Sequence, residues 1–143
     1  MTHSISNIER FFRNHEPNSN ANNIPALVAQ YADVFMAAGP QGTQVVRSAD
    51  FARALSQRKK LFNSLGCQAA ALVSLEETPL DTRYTLAKTQ WRMNFVRAEV
   101  DPLEILVNSA FIIDSGAESP RIVFYLANQD IMAILKDRGI LLR

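Results

Sequence analysis

The sequence predicts an α+β domain, with helices in its first half and an antiparallel meander of long strands in its second. Three observations carry that expectation. Apolar residues recur at helical spacing in three segments before Gly66. From Gln68 to Ala127 the period is that of strands. The connections between those strands are short, and parallel neighbours would need a crossover of about a dozen residues or more.

The composition fits this reading. Of 143 residues, 48% are hydrophobic and 20% charged, which is a globular balance and not that of a disordered chain. Residues 1–143 fit a single domain, long enough to bury roughly 70% of the surface the unfolded chain exposes. A net charge of +1 leaves no nucleic-acid footprint, and the one basic run, Arg58 to Lys60, is too small to hold a polyanion. No secretory start and no run of about 18 apolar residues is present, so a cytoplasmic protein with no membrane partner is expected. Cys67 stands alone, which excludes an internal disulfide and a cysteine metal cluster and suits a small buried hydrophobe.

Taken in order, Ile5, Ile8, Phe11, Phe12 and His15 share one side of a first helix, Ser4 to His15. Glu16 to Asn23 is dense in turn formers and predicts a loop. Pro25 suits the first turn of a second helix, on which Leu27, Val28, Tyr31, Val34 and Phe35 form one apolar arc before Gly39 and Pro40 end it. On that helix Asp33 projects about 200° from Tyr31, away from any pocket. Pro40 to Thr43 is a turn, and Gln44 to Arg47 a short strand at the rim of a sheet. Ser48 can cap a third helix with Asp50 in its first turn, an apolar stripe of Phe51, Leu55, Phe62 and Leu65, and Gly66 as terminator. Arg58 falls inside that stripe: either its stem packs while its head reaches water, or its cation faces an internal cavity.

Ala69 to Leu75 opens the meander. The segment Arg83 to Arg97 is its longest strand and is expected at the centre of the sheet. Alternation puts Thr85, Ala87, Thr89, Trp91, Met93 and Phe95 on an apolar inner face. Tyr84, Leu86, Lys88, Gln90, Arg92 and Asn94 take the outer one. Leu103 to Ile113 has apolar residues on both parities, so a one-residue shift exchanges Asn108 with Ser109. In the last strand, Arg121 to Ala127, Tyr125 shares a face with Val123, opposite Ile122, Phe124 and Leu126, and which face looks inward is open. Asn128 can cap a closing helix that Gly139 stops, and Ile140 to Leu142 should fold back on the body or a partner.

Three segments carry a family resemblance: LVAQYADVF (Leu27 to Phe35), YTLAKTQWRMNF (Tyr84 to Phe95) and IVFYLANQDIMAIL (Ile122 to Leu135). With the order of elements, they make the chain similar to the NTF2-like superfamily, which includes ketosteroid isomerases, SnoaL-like polyketide cyclases, limonene epoxide hydrolase and scytalone dehydratase. The resemblance implies an NTF2-like (cystatin-like) cone, with three N-terminal helices packed in a curved antiparallel sheet and a short C-terminal helix. It also implies an internal ligand cavity and a homodimer joined through the outer sheet face. Neither the isomerases' aspartate base with its tyrosine and protonated aspartate, nor the hydrolase's Asp, Arg, Asp set, aligns with residues of this chain.

The expected ligand is small and mostly apolar, and the expected pocket wall is Tyr31, Phe35, Thr89, Trp91, Met93 and Asn108. If the cone is catalytic, its chemistry is general acid/base isomerisation, cyclisation or dehydration, with Tyr31 as hydrogen-bond donor and His15 as base. The alternative is a non-catalytic interaction module whose cone is filled by its own side chains. There is no G-x-S-x-G elbow, no G-x-G-x-x-G and no P-loop, and His3 and His15 lack ligand spacing. No cofactor or metal is therefore expected.

Overall fold

The computed structural model describes residues 7–20, 23–68, 70–96, 101–116 and 119–139, the side chains of residues 14–20 excepted. Helix α1 (Asn7–Asn20) buries Ile8, Phe11 and Phe12, the stripe its periodicity marks. Its backbone stays helical through much of the turn-rich stretch expected to be a loop. Once a helix is nucleated, each added residue brings its own hydrogen bond, which outweighs weak local turn preferences. Helix α2 (Ile24–Ala29) starts as expected, with Pro25 in its first turn and the Asn23 side chain accepting from the Ala26 amide at 3.3 Å.

The largest departure follows. Strand β1 (Tyr31–Gly39) occupies the stretch read as the rest of the second helix. Tyr31 and Phe35 are four residues apart, a spacing that keeps two side chains together on a helix and equally on a strand. Pairing decides the matter: β1 lies antiparallel to β2 (Gly42–Arg47) and parallel to β6 (Arg121–Ala127). Gly39 therefore ends a strand, and Pro40 and Gln41 form the tip of a hairpin closed by the Gly39–Gly42 pair. Gly42 has φ +121°, a conformation that residues with a Cβ rarely adopt.

Helix α3 (Ser48–Ser64) has Arg47, not Ser48, at its N-cap, and the Ser48 hydroxyl instead donates to the Asp33 carbonyl at 3.2 Å. Gly66 stops α3 in the left-handed region, φ +83°, as expected. Strands β3 (Ala71–Pro79), β4 (Tyr84–Phe95) and β5 (Leu103–Asp114) then run with β6 as an antiparallel meander. Helix α4 (Ile131–Asp137) is capped by Asp130, whose carboxylate accepts from the Ala133 amide at 3.1 Å, two residues beyond the expected Asn128.

The sheet order is β2-β1-β6-β5-β4-β3. Two expectations change here. The short strand expected between the second and third helices is a full β1–β2 hairpin, and the parallel β1–β6 junction makes the sheet mixed. Strand β4 is next to the edge strand β3, while β6 and β5 hold the centre. The faces of β4 are as predicted: Ala87, Thr89, Met93 and Phe95 are buried, while Lys88 and Arg92 are exposed.

The inner face carries two core clusters. One joins α1 to β1, β5 and β6 through Phe12, Tyr31, Phe35, Phe111, Ile113 and Ile122. The other joins the end of α3 and α4 to β4 and β5 through Phe62, Leu65, Met93, Phe95, Ile105 and Leu135. On the outer face the register aligns Met36, Phe124, Ile112 and Leu86 across four neighbouring strands.

Candidate functional site

A cavity of about 700 Å³ lies where the two clusters meet. The hairpin supplies one wall, from Ala37 to Gln44. Helix α3 supplies Ala54, Gln57, Arg58, Leu61 and Phe62, and the floor is Tyr125 and Ala127 of β6. Gln129, Asp130, Ile131 and Met132 close the remaining side. A hydrogen bond from Gln41 Nε2 to Asp130 Oδ2, 2.9 Å, ties the hairpin tip to the start of α4.

Each charged group of this wall has a defined state. The Asp130 carboxyl is held below its usual range, first by the Ala133 amide and then by the Gln41 side chain, so it caps a helix and makes a weak base. The Arg58 guanidinium lies over the Phe62 ring, 5.0 Å from its centroid, within cation–π range. Arg58 is an exposed residue that borders the cavity.

Tyr125 owes its position to an irregularity. A register shift between Ile112 and Ile113 lets both Ile122 and Tyr125 face inward, although their numbers differ in parity. Tyr125 stacks on Phe111 with centroids 5.1 Å apart. Behind it, Tyr31 packs against Phe35 and Phe51 at 4.7 and 4.5 Å. Burial, followed by the Tyr125 phenol, pushes the Tyr31 hydroxyl well above its ordinary pKa, while Arg58 opposes that shift. Tyr31 is therefore a neutral donor at physiological pH.

The other sequence-predicted residues separate. Tyr31 and Phe35 belong to the first cluster and Met93 to the second; none of the three borders this cavity. Thr89 is buried opposite Ser109, and the half-buried Trp91 donates its indole N–H to Thr89 Oγ1 at 2.9 Å. Asn108 is corrected: its pairing with Gln90 puts it on the outer face, where Gln90 Nε2 donates to its Oδ1 at 3.3 Å, and Ser109 faces inward in its place. Asp33 is excluded as a pocket base by exposure, its side chain being 92% accessible, and not by helical geometry. The side chain of His15, with Ile140 to Leu142, lies outside the described residues. Gln57 and Gln129 were not singled out by sequence, and Asp130, expected in the first turn of the closing helix, is its N-cap. The signal available for Asp130 was its place before Ile131 and Ile134, the pattern of an N-cap.

No protein-family model and no curated protein matches this chain. Solved structures do. An NTF2-like protein with a cystatin-like fold from Novosphingobium aromaticivorans superposes with a TM-score of 0.72 at 14% identity, over 96% of this chain and 88% of that one. The β subunit of benzoate 1,2-dioxygenase from Burkholderia mallei gives 0.68 at 13% identity, over 94% and 95%. A ketosteroid isomerase-like protein from Erwinia carotovora atroseptica gives 0.66 at 16% identity, over 85% and 92%. With its helices on one face of a six-stranded sheet and a cavity between them, the chain has the NTF2-like, cystatin-like fold. No helix among the described residues is long and apolar enough to cross a membrane.

Proposed function

We propose that this domain binds a small, mostly apolar molecule in the cavity between the β1–β2 hairpin, α3 and α4, and that it works as a cytoplasmic homodimer joined through the outer sheet face. The cavity itself carries the reading. Its volume falls within the range of small-molecule sites, and Ala37, Ala54, Leu61, Phe62 and Ile131 give it apolar walls with a few polar groups between them. Binding is better supported than acid/base turnover, because Asp130 is committed to a helix cap and Tyr31 does not border the cavity. The outer row of Met36, Phe124, Ile112 and Leu86 is the surface a second copy would cover.

A second reading, an interaction module with a self-filled cone, is favoured by one observation. Tyr31, Phe35, Phe51, Phe111 and Tyr125 occupy much of the interior with their own rings. Native mass spectrometry of freshly purified protein tests both. The binding reading expects a dimer mass with a retained organic molecule that denaturation releases. An empty dimer that also fails to take up an apolar fluorescent dye would favour the interaction module, and a monomer would refute the interface.

A further inference from the structure

We infer that the molecule held in this cavity carries a carboxylate, received by the guanidinium of Arg58. This rests on the reading that the cavity holds a small apolar molecule, and it specifies that molecule's polar end. Arg58 is the cation of the wall, and among the described residues no carboxylate lies within ion-pair distance of it. Asp130, the acid of the same wall, is already engaged by the Ala133 amide and by Gln41.

The guanidinium carbon lies over the Phe62 ring, 5.0 Å from its centroid, a contact that takes up none of the N–H groups of the guanidinium in a conventional hydrogen bond. The guanidinium edge matches the two oxygens of a carboxylate, which it can hold with parallel hydrogen bonds. The charge count favours a monoanion over a phosphate: Lys59 and Lys60 follow in sequence, but neither borders the cavity, so among the described residues a single cation faces the ligand. Gln57 and Tyr125 add neutral donors to the same wall, and the alanines, Leu61 and Ile131 suit an apolar tail. The class of ligand is a small monocarboxylic acid with a hydrocarbon body.

The test is isothermal titration calorimetry of the full chain with two matched pairs of probes, octanoate with 1-octanol and benzoate with benzyl alcohol. At least one acid should bind about tenfold or more tighter than its alcohol, the margin expected of a charge-assisted bidentate contact. Arg58→Gln should lose about tenfold for that acid and leave its alcohol unchanged. Arg58→Lys keeps the charge without the fork and should fall between the two. Arg58 is exposed, so both variants should fold, and their melting curves would confirm it. Acids and alcohols binding alike, or Arg58→Gln binding the acid as the parent does, would overturn the carboxylate while leaving an apolar pocket. No binding of any of the four probes would overturn both.

Discussion

Replacing Phe35 by alanine probes the interior behind the cavity and the strand on which that interior depends. Phe35 is 4% exposed, with ring centroids 4.7 Å from Tyr31 and 5.0 Å from Phe51. Losing a buried phenyl ring costs about 3–5 kcal/mol, of which the two ring pairs account for ~0.5–1.5 kcal/mol each. Both ring partners sit on separate elements, β1 itself and α3, so collapse into the void would have to move a helix. A value of about 4 kcal/mol follows, equivalent to a fall in Tm of roughly 12 °C for a chain of this size. Urea unfolding followed by far-ultraviolet circular dichroism measures it. The neighbouring Val34 supplies the contrast: it is 50% exposed, and Val34→Ala should cost less than about 0.5 kcal/mol. On a helix the two residues would share an apolar arc, and on a strand they face opposite sides. A Phe35→Ala loss below about 1 kcal/mol, or a Val34→Ala loss equal to it, would refute the packing described.

Three further outcomes follow from the titratable and crowded positions. Burial raises the Tyr31 pKa in the folded state, so the unfolded chain sheds this proton first; the stabilisation is complete below about pH 10 and is lost as pH rises further. A spectrophotometric titration of the folded protein should accordingly give the same change for Tyr31→Phe as for the parent up to the pH at which the fold gives way. Asp114 behaves oppositely: the Arg83 side chain, bound through Nε at 2.7 Å and Nη2 at 3.0 Å, and then the Gly116 amide hold its carboxyl below the usual range. The stabilisation from this pair is present above about pH 3.9 and lost as pH falls through the folded value, so the urea midpoints of the parent and Asp114→Asn should differ at neutral pH and converge in acid. A Cβ on Gly116 would stand 2.5 Å from Arg83 Nε, so Gly116→Ala should displace that side chain and lower the midpoint. Combined with Asp114→Asn it should add little, and full additivity in a double-mutant cycle would refute the shared contact.

The legible parts of this fold were those in which one periodicity had no rival. Along β4 strict alternation separates Ala87, Thr89, Met93 and Phe95 from Lys88 and Arg92, and the structure keeps that division. The stretch from Tyr31 to Phe35 was not legible, because its apolar spacing satisfies a helix and a strand equally, and the deciding contacts come from Arg47 and Ile122, far along the chain. Asn108 and Ser109 could be separated only by register with β4, and Tyr125 only by a bulge that the sequence does not announce. The cavity wall shared this difficulty. It is assembled from a hairpin tip, one face of α3 and the cap of α4, and only Arg58 among its charged groups stood out as an anomaly in an otherwise apolar stripe.

That anomaly joins the two readings of the interior. The aromatic rings of the first cluster fill the region behind Tyr125, so the space a ligand could occupy is displaced toward the hairpin tip and α4. There the walls alternate between small apolar side chains and neutral amides, and the Gln41–Asp130 contact holds the tip to the helix start. A wholly apolar guest would leave Arg58 beside it without a polar partner, at the cost of desolvating a cation. A strongly polar guest would forfeit the contacts with Leu61, Phe62 and Ile131. An amphipathic acid satisfies both walls, with its charged end on Arg58 and its tail among the alanines. On this proposal the packed core sets the depth of the site, and Arg58, the one cation of its wall among the described residues, sets the polarity of what would enter.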